Sequence, residues 1–204
     1  MEMDELDYTI DDVGALVKKV SIKKIKPCIA AEGKIRVLMQ TDAELEDLIP
    51  YLVSRYPPGK VNYIERKKIL TLTLHNRLIT LYPSGKISMN KTRDKEEAIE
   101  VIAQVIGDMN HVYMEIQEGG TEDYSKIKDK LSHIGPLAIY NCLPQTSCEE
   151  CGQATCMAFA VRLLAGETTL DQCTPLYDSQ NISKVKCLEE LLGSQIMHTL
   201  GWKD

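Results

Sequence analysis

The sequence holds one Trp and one Phe among 204 residues, so any core it builds is largely aliphatic. It has no apolar run of the roughly 18 residues that a membrane-spanning helix needs, and its opening MEMDELD is acidic where a secretory leader would be basic. A cytoplasmic protein without a membrane span is the expectation. It also lacks a Walker loop, a Rossmann glycine fingerprint and a nucleophile elbow. His75, His111, His133 and His198 are scattered, with no pair at metal-binding spacing. No catalytic constellation is visible, so the chain reads as a protein that is not itself an enzyme. Seven cysteines, an odd number, and no leader argue against a disulfide framework.

Four of those cysteines carry the strongest signal. Cys148, Cys151, Cys156 and Cys173 form a C-x2-C-x4-C-x16-C array within LPQTSCEECGQATCMAFAVRLLAGETTLDQCTP. Three thiols in one tight loop, with a fourth returning after a helix's length of chain, suit a cubane [4Fe–4S] cluster, whose irons are bound by cysteine thiolates. Gly152 supplies backbone freedom in the loop. Thr155 reads as the N-cap of a helix over MAFAVRLLA that ends at Gly166, which would put the Cys156 thiolate at the positive helix end. A structural zinc is the alternative, but zinc sites usually present two separated cysteine pairs. Cys28, Cys142 and Cys187 fit no metal spacing and read as small buried hydrophobes; Cys142, six residues before Cys148, is the one spare ligand candidate.

Residues 137–176 resemble the four-cysteine iron–sulfur domain of the corrinoid iron–sulfur protein. The same domain is found in the archaeal acetyl-CoA decarbonylase/synthase corrinoid subunit, in reductive activators of corrinoid proteins and in the B subunit of Rnf-type complexes. The likeness rests on Leu143-Pro144, Thr146, Cys148, Cys151-Gly152, Thr155-Cys156, Ala158-Phe159-Ala160, Leu164, Gly166-Glu167, Leu170, Cys173 and Pro175. It implies a low-potential [4Fe–4S] cluster held by Cys148, Cys151, Cys156 and Cys173 that passes single electrons, often toward a cobalamin cobalt, in an anaerobic archaeon. The rest of those proteins (barrel, cobalamin domain, membrane anchor, ATPase-like domain) has no counterpart in the sequence.

The remaining chain divides into an acidic arm at 1–19, an α+β domain at 20–117, a Gly-Gly linker at 118–122 and the cluster domain with its last helix at 123–204. Residues 20–40 read as extended chain with a turn at Glu32-Gly33. Thr41 and Glu44 read as the capping box of a helix carrying Leu45, Leu48, Ile49 and Leu52. Short strands follow at 61–66, 69–75 and 77–82, then a Pro83-Ser84-Gly85-Lys86 hairpin turn, a strand at 87–90 and, after Thr92, a long amphipathic helix to about Met114. The fold class expected is an antiparallel sheet with helices on one face. Further helices are expected over 123–133 and, as one piece, from Asn181 to about Met197.

The α+β segment resembles one half-repeat of the TATA-binding-protein fold in its element order and in RLITLYPSGKISMNKTRDKEEAIEVI. A single repeat without aromatic wedges does not imply the DNA binding of that family. Residues 18–95 hold 17 basic against 7 acidic residues, either a solvated sheet face or an attraction for acidic partners. The leading expectation is electron transfer to a redox protein partner, of which a corrinoid protein is the candidate, with nucleic acid not expected. A stapling structural cluster and a redox-sensing nucleic-acid regulator are the alternatives.

Overall fold

The computed structural model describes residues 7–9, 14–119 and 134–203. The helix expected over 123–133, most of the Gly-Gly linker and much of the N-terminal arm lie outside them. The chain forms two compact units, one from 1–53 with 61–121, the other from 54–60 with 122–204. The class is α+β.

In the first unit, seven antiparallel strands lie in the order β1-β2-β3-β7-β6-β5-β4. They are β1 (Asp7–Thr9), β2 (Lys19–Pro27), β3 (Ile35–Thr41), β4 (Val61–Ile64), β5 (Ile69–Leu74), β6 (Arg77–Leu81) and β7 (Lys86–Thr92). The period of two puts every second residue on one face, and the register lines those residues up across the sheet. Leu70 pairs with Leu81, Leu81 with Ile87 and Ile87 with Met39; one step along, Leu72, Ile79, Met89 and Val37 pair in the same way. All eight are essentially fully buried. Helix α2 (Lys95–Gln117) covers this stripe with Ala98, Val101, Ile102, Val105, Ile106 and Met109. Asp94 caps it, accepting from the Glu97 backbone N–H at 2.8 Å. Buried Asn110 ties the chain before β2 to the helix, its Oδ1 accepting from Val17 N–H at 2.9 Å and its Nδ2 donating to the Val17 carbonyl at 3.0 Å.

Two local expectations need correction. The helix expected from Thr41 is only α1 (Ile49–Leu52), followed by a 3₁₀ turn at Val53–Arg55. Thr41 instead ends β3 and donates its hydroxyl to the Ala43 and Gly85 carbonyls. Pro50 sets where the helix begins, since its missing N–H is harmless only in the first turn. Gly85 has φ +77, and a Cβ there would lie 2.3 Å from the Ala43 carbonyl oxygen, so the turn packs too closely on this stretch for any other residue.

The second unit holds α3 (Pro136–Asn141), α4 (Cys156–Leu164), α5 (Ile182–Leu192) and α6 (Ser194–Thr199), with 3₁₀ turns between α4 and α5. The single last helix expected from Asn181 is broken at Gly193, φ +75, into α5 and α6. Leu188, Leu192, Ile196 and Met197 bury into one core with Ile139, Leu143, Phe159, Leu163 and Leu176, so this apolar stripe is packed within the unit. Among the described residues no helix is long and apolar enough to cross a membrane.

Candidate metal centre

Residues 143–155 run from α3 to α4 as a tightly wound loop. Gln145, Ser147 and Glu149 take positive φ, as does Gly152 at +72. Such angles are uncommon for residues with side chains, and left-handed residues alternating with others turn backbone N–H groups toward one concavity suited to an anion. A Cβ at Gly152 would meet nothing within 4 Å, so the glycine serves its backbone angle and not a close approach. Gln145 Nε2 donates to the Tyr140 carbonyl at 3.1 Å and Gly152 N–H to the Glu149 carbonyl at 2.8 Å. The Thr174 hydroxyl donates to the Glu150 carboxylate, fastening the loop to the returning chain.

Thr155 caps α4, its hydroxyl accepting from Ala158 N–H at 3.1 Å. This fixes Cys156 as the first helical residue, where unpaired N–H groups give the helix end its partial positive charge. Gly166, at φ +64, follows the helix and accepts the reversal. The 3₁₀ turn Leu170–Gln172 then brings Cys173 back, its N–H bonded to the Leu170 carbonyl at 3.0 Å. Leu170 is itself anchored to the Leu200 carbonyl at 2.7 Å.

These elements bring Cys148, Cys151, Cys156 and Cys173 to the border of a single recess. It is a shallow recess, with an enclosed volume of only about 10 Å³ and the rest open to solvent, and its apolar lining includes Leu143, Phe159 and Pro175. All four thiols are free of disulfides; Cys148 is exposed, Cys151 and Cys156 are half-buried, and Cys173 is buried. The site thus has one rim in water and one wall in the core. Burial, reinforced by the charges that Cys151 and Cys156 would carry, pushes the Cys173 thiol up to about 12. A cation in the recess would reverse that balance, because thiolate ligation to a metal deprotonates the thiol outright. Among the described residues no three His, Cys, Asp or Glu side chains are gathered closely enough to hold a single metal ion; the four cysteines are disposed around a space. Four soft sulfur donors around a recess fit an iron–sulfur group in the chemistry of the donor set.

The other cysteines lie elsewhere. Cys28 is buried in the first unit. Cys142 and Cys187 are joined in a disulfide with Cα atoms 5.4 Å apart. This corrects the reading of both as unpaired hydrophobes and removes Cys142 as a spare ligand. No local spacing announces a link across 45 residues of chain.

Comparison with known proteins places the site in a class. Residues 143–175 match the iron–sulfur family described as "Putative Fe-S cluster", so the cofactor type indicated for this segment is iron–sulfur. The curated relatives are archaeal. The acetyl-CoA decarbonylase/synthase complex subunit gamma 2 of Methanosarcina thermophila is 45% identical over 71 residues, covering 34% of this chain and 15% of that protein. The subunit gamma of Archaeoglobus fulgidus is 51% identical over 59 residues, covering 28% and 13%. That of Methanocaldococcus jannaschii is 45% identical over 53 residues, covering 26% and 11%. The chain therefore spans no more than about 15% of the length of these relatives. No solved structure matches it. These names overturn one expectation. The expectation that the chain is no enzyme does not stand, because its relatives are named as subunits of a decarbonylase/synthase, an enzyme complex.

Proposed function

We propose that Cys148, Cys151, Cys156 and Cys173 hold a [4Fe–4S] cluster through which the chain passes single electrons to a protein partner. The observation that carries this reading is that all four array cysteines line one recess, inside the segment that matches the iron–sulfur family. When bound, the group supplies a one-electron couple whose potential depends on net charge, hydrogen bonds to sulfur and exposure. The chain's own residues set those terms. Exposed Cys148 gives a short path to a partner docked at the rim, while Cys173, Leu143 and Phe159 keep water from the inner wall. Glu149 borders the recess, and its negative charge opposes adding an electron, which favours a low potential.

The relatives' complex membership supports a partner drawn from an enzyme assembly, and their resemblance class supports a corrinoid protein as electron acceptor in an anaerobic cytoplasm. The sheet unit, with its likeness to a TATA-binding-type half-repeat and its surplus of basic residues, is the docking module in this reading. Stopped-flow mixing of the reduced, cluster-loaded protein with a low-potential acceptor, a viologen or a corrinoid protein, tests the proposal. Reoxidation within seconds is expected; a reduced protein that stays reduced would end it.

A further inference from the structure

The disulfide stands in a revealing place. Cys142 is the C-cap of α3, and the next residue, Leu143, lines the recess. Cys187 lies midway along α5. The two bracket the chain so that all four array cysteines, and the whole family-matched segment 143–175, fall inside the closed loop. Cys142 and Cys173 belong to one buried core, with Cys151, Cys156 and Cys187 packed against it. Five cysteines of the chain remain thiols, four of them at the recess.

We propose that Cys142–Cys187 is a second redox centre, a two-electron thiol–disulfide couple that takes its electrons from a dithiol reductant and sets how firmly the enclosed loop grips its cluster. The last clause rests on the function proposed above; the couple itself does not. Exposure dictates the direction of attack. Cys142 is 4% exposed, whereas Cys187 is only partly buried, so the Cys187 side is the more open approach for an incoming thiolate. The S–S bond breaks as the new S–S bond to Cys187 forms, and the Cys142 sulfur leaves with the electron pair and takes a proton. The reductant's second thiol then attacks its own sulfur in the mixed disulfide, releasing Cys187 as a thiol and the reductant as a disulfide. Lys184, one turn before Cys187, donates its ammonium to the carbonyl of Asn141 at 2.9 Å. This places a positive charge next to the residue that must leave as a thiolate.

The test uses the full chain, purified without oxygen and with iron and sulfide counted. Samples equilibrated in buffers of varied reduced-to-oxidised dithiothreitol ratio are acid-quenched, alkylated and read by peptide mass spectrometry. The expected result is that Cys142 and Cys187 gain label together in one two-electron transition while Cys28 is labelled throughout. Alkylation of both in every buffer, or of neither in any, would overturn the couple. Iron release to a chelator is then followed in each state. It should be roughly tenfold or more faster in the reduced state, because the closed loop restricts the chain that carries the ligands. The Cys142→Ala/Cys187→Ala protein should release at the fast rate in every buffer. Equal rates in both states of the natural chain would overturn the control of the cluster. A chain that never holds iron refutes the cluster reading instead, and the alkylation transition still decides on the couple.

Discussion

Opening the Cys142–Cys187 link should cost the second unit a large share of its margin of stability. The bond closes a loop across 45 residues. In the chain-entropy description that closure removes about 13 cal/mol/K from the unfolded ensemble, or about 4 kcal/mol at 25 °C, against the roughly 5–15 kcal/mol that holds a typical domain folded. The single Trp of the chain, Trp202, is well placed to report it. It stacks on Tyr177 with ring centroids 4.8 Å apart and packs against the core of the same unit. Urea unfolding of the metal-free protein, followed by Trp fluorescence with and without reductant, measures the difference. With a urea slope of about 1–2 kcal/mol/M for a unit this small, the midpoint should fall by about 2–4 M on reduction. A fall of less than about 0.5 M would refute the reasoning, for the link would then not be constraining the unfolded chain. The Cys142→Ala/Cys187→Ala protein should show no response to reductant.

Three further outcomes are expected. Replacing any of Cys148, Cys151, Cys156 or Cys173 by Ser should at least halve the iron retained after anaerobic gel filtration, while Cys28→Ser leaves it unchanged. Gly59→Ala should destabilise the second unit by about 1–3 kcal/mol in the same urea assay, because a Cβ there would lie 2.4 Å from the Leu164 carbonyl oxygen and 2.8 Å from Ala165 Cα, both backbone atoms. In the sheet unit, the Arg93 backbone N–H and the Arg77 guanidinium, opposed by desolvation, hold the Glu97 carboxyl below its ordinary value of 4.5. A depressed folded value gives stability that is present above 4.5 and is lost as pH falls through the folded value. Glu97→Gln should therefore flatten the acid limb of thermal stability below about pH 4.5, and an unchanged limb would count against the pairing.

The parts of this molecule that could be read from sequence are those written in local spacing. Alternation along residues 69–92 gave strands whose register then aligned two buried rows, and the threonine before Cys156 caps its helix through a contact three residues away. The array cysteines border one recess because a loop, one helix and one turn are enough to bring Cys173 back to the side of the other three. What escaped was set by partners distant in the chain. Thr41 is held in a strand by contacts to Gly85, 44 residues on, which outweigh its capping-box sequence. Asn110 bonds Val17 across 93 residues, and Cys142 finds Cys187 across 45. Nor does any composition shift mark residues 54–60, which lie in the middle of the sheet's sequence yet belong to the second unit. Gly193 was visible as a residue, but the apolar stripe on either side of it read straight through the break.

The central claim is tested most directly by anaerobic purification of the full chain, with iron and sulfide counted and the EPR spectrum recorded after dithionite reduction. The account predicts four irons and four sulfides per chain and a paramagnetic signal that integrates to one electron and is lost on reoxidation. Stoichiometric zinc, no acid-labile sulfide and no signal would contradict it, and would make the four cysteines a structural metal site.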